Sequence, residues 1–183
     1  MLNFRIRASG KISDFFMQEG IADFKAATAY IRQLRYERIS NTSDVSLVFI
    51  ERRGTCSSKH AVLAELANEQ AQNISLRLGF YEMNGDNTPG VGGVLQKHNL
   101  QSILEAHCYL EHDGRRFDFT RPVASESMDL SIISEEEITS KQIGEYKNRR
   151  HRGAMNEWLK LRAMSYSLDE AWNIREECIG AIS

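Results

Sequence analysis

A chain of 183 residues, 42% of them apolar, is long enough for one domain with a substantial core. Its 23 basic and 25 acidic side chains leave a formal charge of −2, too small to steer it to nucleic acid or anionic lipid, so neither nucleic acid nor membrane is an expected partner. No apolar run nears the roughly 20 residues of a membrane span, Met1–Arg7 shows no secretory-signal pattern, and three cysteines without framework spacing suggest reduced thiols in the cytoplasm.

Two prolines and no Pro/Gly/Ser-rich linker predict a single domain over residues 1–183. Phe24, Ala27, Ile31 and Leu34 step by three and four residues, so a helix is expected over Phe24–Leu34. Val45–Ile50 is a short apolar run leading to Gly54-Thr55-Cys56, where Thr55 suits an N-cap and Ala61–Ala71 continues as strong helix. Ile74, Leu76, Leu78 and Phe80 then alternate with Ser75, Arg77, Gly79 and Tyr81, the period of a half-buried strand. Residues 84–93 read as a loop. Strands are expected over Ile103–Glu111 and Arg115–Thr120 around the turn pair Asp113-Gly114. Beyond Pro122 the pattern turns helical: Ser134–Glu137 offers a capping box before a charged helix toward Met164, and Ser167–Glu170 a second before a helix over Ala171–Ile179. Together these elements predict an α+β fold, helices packed on an antiparallel sheet.

Cys56 stands where the loop becomes a helix. Unpaired N–H groups and the positive end of the macrodipole favour a thiolate in that first turn, which makes Cys56 the candidate nucleophile. The hairpin register supplies partners. With Asp113 and Gly114 in the turn, His112 faces Arg115, Glu111 faces Arg116, Tyr109 faces Asp118 and His107 faces Thr120. His107 and Asp118 then share one face as diagonal neighbours, about 7–8 Å apart at the backbone. Leu104, Ala106, Cys108, Leu110, Phe117 and Phe119 take the opposite, apolar face. In triad logic Cys56 attacks, His107 moves the proton and Asp118 orients the imidazole. The Cys56 N–H is one oxyanion donor, while Gln33, Tyr36, Arg38 and Thr88 are weak candidates for substrate or oxyanion binding.

Gly54-Thr55-Cys56 opening a helix, His107 on a strand and Asp118 within Arg116-Phe117-Asp118-Phe119-Thr120 resemble the transglutaminase-like superfamily. The resemblance covers about residues 45–122, with 123–183 as a C-terminal helical extension. It implies a transglutaminase-like or papain-like core, a cysteine helix packed on an antiparallel sheet whose adjacent strands carry the His and Asp. Many members place an aromatic residue after the histidine and end in a Trp-Val-Asp-Pro-Thr-like segment. Here Cys108 follows His107 and the segment is Phe117-Asp118-Phe119-Thr120-Arg121-Pro122, so the triad transfers and substrate preference does not.

Other readings of the same residues compete. His60, one turn after Cys56, is a rival base, and Glu105 a rival to Asp118. Cys56, His60, His107 and Cys108 offer a zinc set, but His107 and Cys108, adjacent on a strand, point to opposite faces. The 84–93 loop is a candidate lid, Lys147–Arg152 a solvated basic face, and Trp158, Leu161, Trp172 and Ile174 packing residues. The expected function is a cofactor-free, metal-free thiol hydrolase or acyltransferase acting on a peptide or small amide. The alternative is a non-catalytic peptide-binding module with the same fold.

Overall fold

The computed structural model describes residues 2–122, 128 and 130–182. Helices α1 (Lys11–Gln18), α2 (Phe24–Gln33), α3 (Leu47–Ile50) and α4 (Cys56–Glu69) precede strand β1 (Ser75–Met83) and helix α5 (Gly92–Lys97). Strands β2 (Ile103–His112), β3 (Arg115–Phe117) and β4 (Ser134–Ile138) follow, then a 3₁₀ turn (Ser140–Gln142) and helices α6 (Glu145–Leu161) and α7 (Leu168–Gly180). The strands form one antiparallel sheet in the order β3-β2-β1-β4, so the chain is α+β.

The chain divides into two compact units. The first comprises Met1–Leu78, Cys108–Asp129 and Glu136–Gly144; the second comprises Gly79–His107, Leu130–Glu135 and Glu145–Ser183.

In the first unit α4 is the central element, contacted by α1, α2, α3 and the 3₁₀ turn. Every residue from Cys56 to Leu63 is buried, polar ones included, as expected of a helix enclosed on all sides. Phe15 stacks on Phe49 at 3.7 Å between ring centroids, Phe16 meets Phe49 edge-on at 5.1 Å, and Phe24 meets Phe119 edge-on at 6.2 Å. Helix α1 carries no sequence signal strong enough to predict it, because its cap comes from far along the chain. The Glu69 carboxylate accepts the backbone N–H groups of Ile12 at 2.9 Å and Ser13 at 2.6 Å.

The hairpin has the expected register. His112 pairs with Arg115, Glu111 with Arg116 and Leu110 with Phe117. Asp113 and Gly114 both take positive φ, 49° and 70°, the type I′ geometry that the Asp-Gly pair favours. The strand itself is shorter than the expected Arg115–Thr120 and stops at Phe117, so Asp118 and Thr120 lie beyond β3. All six residues assigned to the apolar face are buried.

In the second unit α7 contacts α5 and α6 around Leu95, Met155, Leu159, Ile174 and Cys178. The Ser167 box is present: Ser167 Oγ accepts from Glu170 N at 3.3 Å, and Glu170 Oε2 accepts from Ser167 N at 2.8 Å.

Several expectations need correction. Ser134–Glu137 does not cap a helix; it is β4, and its three glutamates suit a strand at the sheet's end, where charge discourages further pairing. The helical reading after Pro122 also takes in residues 123–127 and 129, which lie outside those described. Gly92 and Gly93 open α5 instead of extending the loop. Strand β1 is half-buried only toward its ends, since Leu78 to Tyr81 are buried on both faces. Leu161, at the end of α6, is exposed and packs nothing. The basic run is not uniformly solvated either: Lys147 and His151, one turn apart on α6, are both buried.

Candidate functional site

Cys56 is the first residue of α4, and Thr55 precedes it with extended backbone (φ −89°, ψ 178°), as an N-cap requires. Ser58 Oγ accepts the Thr55 N–H at 3.0 Å, tying the turn from inside. Gly54 N donates to Arg35 O at 3.0 Å, and a Cβ on Gly54 would lie 2.9 Å from both Lys59 Cγ and Ser58 Oγ. Only glycine lets the loop press this closely on the first turn of α4. No acidic side chain occupies that turn, so the N-terminal dipole is not offset there. Cys56 is 6% exposed, and its Sγ lies 3.8 Å from Ser57 Oγ.

His60 was the rival base. It is fully buried, and hydrogen bonds hold both ring nitrogens. Nε2 accepts the Phe119 N–H at 2.7 Å, so it carries no proton, and Nδ1 therefore carries the proton donated to Cys56 O at 2.8 Å. A proton added at Nε2 would confront the Phe119 N–H. This imidazole pins the segment after β3 to α4 and is committed to one tautomer, an unsuitable state for a proton shuttle.

Asp118 is half-buried, and its Oδ1 accepts the Thr120 N–H at 2.8 Å and lies 3.6 Å from His60 Nε2. Its carbonyl accepts from Arg32 Nη2 at 3.2 Å. The carboxylate is thus held by its own turn, and the Asp118 backbone by Arg32 of α2, rather than by a β ladder.

Lys59 is the buried charge beside the candidate nucleophile that sequence reasoning missed. It is 1% exposed, and its Nζ donates to Leu34 O at 2.6 Å and Thr120 O at 2.8 Å. Burial, reinforced by repulsion from Arg121, lowers it to about 8, against the opposing pull of Asp118 and Cys56. The available signal was its spacing: three residues after Cys56, it belongs to the same helical face.

Of the weaker candidates in this unit, Tyr36 is half-buried with the Arg121 guanidinium over its ring at 4.7 Å, while Gln33 and Arg38 are exposed.

In the second unit His107 is half-buried on β2, its ring edge-on to buried Tyr81 at 6.4 Å between centroids. The Tyr81 hydroxyl is 3.3 Å from Thr88 Oγ1. The 84–93 segment is internally bonded: Asn84 Oδ1 accepts from Asp86 N and Asn87 N, and Asn87 Nδ2 donates to Glu82 O at 2.9 Å.

Glu105, the rival to Asp118, has a different commitment. Arg175 grips it with two hydrogen bonds, Nε to Oε2 at 2.6 Å and Nη2 to Oε1 at 2.7 Å. Burial raises this carboxyl, but the charges of Arg175, His151 and Lys147 outweigh that and hold it at about 2. Beside it, burial pushes His151 down to about 4 although Glu105 pulls the other way; His151 Nε2 donates to Leu104 O at 3.1 Å. Burial, with Glu105 and Glu177 near, pushes the Cys178 thiol up to about 11, and Cys108 is fully buried. Neither thiol is suited to attack.

Among the described residues, no three His, Cys, Asp or Glu side chains converge as metal ligands, and no helix is long and apolar enough to cross a membrane. No family model, curated protein or solved structure matches this chain.

Proposed function

We propose that the chain is a cysteine-nucleophile acyl-transfer enzyme of transglutaminase-like type, working as a thiol hydrolase on a peptide or small amide. One observation carries the proposal: Cys56 opens a fourteen-residue helix whose first eight residues are buried, behind a glycine-enforced loop and with no acid in its first turn. In this proposal Cys56 thiolate adds to the amide carbonyl, and the oxyanion is met by N–H groups of the first turn of α4. His107, carrying the proton taken from the Cys56 thiol, protonates the departing amine as the C–N bond breaks, leaving a thioester on Cys56. Water, deprotonated by His107, then attacks the thioester and releases the acid and the free thiol. Asp118 orients the imidazole. The commitment of His60 to two backbone groups and of Glu105 to Arg175 supports these assignments by removing the rivals.

The test combines alkylation with a probe. Iodoacetamide should label Cys56 near neutral pH at least tenfold faster than an unstructured peptide carrying residues 53–60, the thiolate fraction being higher. An electrophilic acyl probe followed by mass spectrometry should modify the wild type at Cys56, fail on Cys56→Ala, and modify His107→Ala more slowly. Labelling at the peptide's rate would favour a peptide-binding module without catalysis.

A further inference from the structure

The side chain that the proposed chemistry leaves unused is Lys59, and its environment is unusual. Lysine is almost never fully buried unless paired with an acid. Lys59 is 1% exposed, yet its two hydrogen-bond partners are neutral carbonyls, Leu34 O at the end of α2 and Thr120 O after β3. An ammonium has three donors, and these bonds occupy two. A methionine of similar length would fill the same space without the cost of desolvating a charge. The ammonium is therefore expensive to the fold.

What offsets that charge lies on α4 and on the segment facing it. After burial, Arg121 opposes the charged lysine most; Asp118, two residues before Thr120, favours it, and so, less strongly, does Cys56, three residues earlier on the same helix. Arg32, from α2, donates to the Asp118 carbonyl. The Coulomb interaction between Lys59 and Cys56 acts in both directions: whatever a negative sulfur contributes to the ammonium, the ammonium returns to the sulfur. Helix α4 thus offers the sulfur two positive features, its N-terminal dipole and a fixed cation on the same face.

We infer that Lys59 is a positioning residue whose buried ammonium, clamped between Leu34 O and Thr120 O, holds Cys56 in its thiolate form. The inference rests on the proposed role of Cys56 as nucleophile, and it names the cation that the role requires besides the imidazole. It also supplies an alkaline limit. Lys59 loses its proton near pH 8, so the thiolate and its cation coexist only below that point.

The experiment is the rate of iodoacetamide alkylation at Cys56 against pH from 5 to 10, read by mass spectrometry, for wild type, Lys59→Met and Lys59→Arg. Below pH 7 the Lys59→Met variant should react about tenfold more slowly, since one opposite charge nearby shifts such an ionisation by about a unit or more. The two rates should converge near pH 10, where both thiols are fully ionised. Lys59→Arg, which keeps the charge, should stay near the wild-type profile, and it keeps the test informative if Lys59→Met does not fold. Equal profiles for wild type and Lys59→Met overturn the inference. So does a deficit of Lys59→Met that persists at pH 10, or an equal loss in Lys59→Arg at every pH, because either marks a merely structural clamp. A wild-type Cys56 no faster than the free peptide is a separate result, one that removes the nucleophile itself and the inference with it.

Discussion

Replacing Arg175 by methionine isolates one buried charge, and its cost follows from the geometry. Arg175 and Glu105 side chains are 10% and 7% exposed, joined by two parallel hydrogen bonds, and the guanidinium lies over the Trp172 ring at 5.4 Å. Methionine keeps most of the length and removes the cation, leaving the Glu105 carboxylate buried without the charge that most offsets its burial. Breaking such a pair from one side costs about 3–5 kcal/mol, so Arg175→Met should lose roughly 4 kcal/mol at pH 7. In a chain of this size that lowers the melting temperature by roughly 10 °C. Urea unfolding followed by tryptophan fluorescence suits the measurement, because both tryptophans, Trp158 and Trp172, belong to the second unit with the pair. Lowering the pH from 7 to 5 should narrow the gap to wild type: without Arg175 the carboxyl is no longer held at about 2, and taking a proton relieves it. The double variant Glu105→Leu with Arg175→Met should be more stable than Arg175→Met alone, since no buried carboxylate remains. A loss under 1 kcal/mol in the single variant, or a double variant no better than the single, would refute this account of the pair.

Acid sensitivity should come in two stages. His151 is held neutral in the fold down to about pH 4 against an ordinary 6.5, so the unfolded chain binds the extra proton in that window and stability falls as pH drops through it. Glu105 is held at about 2 against 4.5, so its contribution is lost between those values; urea midpoints of His151→Gln should be flatter than wild type between pH 6.5 and 4 and parallel below. His60→Ala strands the buried Phe119 N–H and should cost about 2–4 kcal/mol, yet leave the midpoint of the Cys56 alkylation profile unchanged; a shift above half a pH unit would return His60 to the role of base. Gly54→Ala drives a methyl to 2.9 Å from Lys59 Cγ and Ser58 Oγ and should cost about 1–3 kcal/mol, with a drop in alkylation rate as the first turn shifts; unchanged stability would show the loop free to move. Ser167→Ala should cost about 1 kcal/mol in thermal melts through the lost cap.

How much was legible depended on how local the causes were. The hairpin register followed from one Asp-Gly pair and alternation in two short strands, and all six residues assigned to its buried face are buried. The Cys56 turn was readable for the same reason, since Gly54, Thr55 and Ser58 act within one helical turn. The Ser134 box failed although the Ser167 box held, because both match the motif and only sheet pairing tells them apart. Lys147 and His151 were hidden in a basic run whose helical phase depends on where Glu105 lies.

The candidate site divides along the same line. Residue types and spacing nominated Cys56, His107 and Asp118 as candidates and His60 and Glu105 as rivals, because reactive groups and their periodicity are written in the chain. Tertiary structure decided what those rivals were occupied with: His60 with the Cys56 carbonyl and the Phe119 amide, Glu105 with Arg175. It also buried Lys59 between two carbonyls 25 and 61 residues away. Hydrogen bonds and charges over such separations leave no period or motif behind; they exist only once the chain has closed.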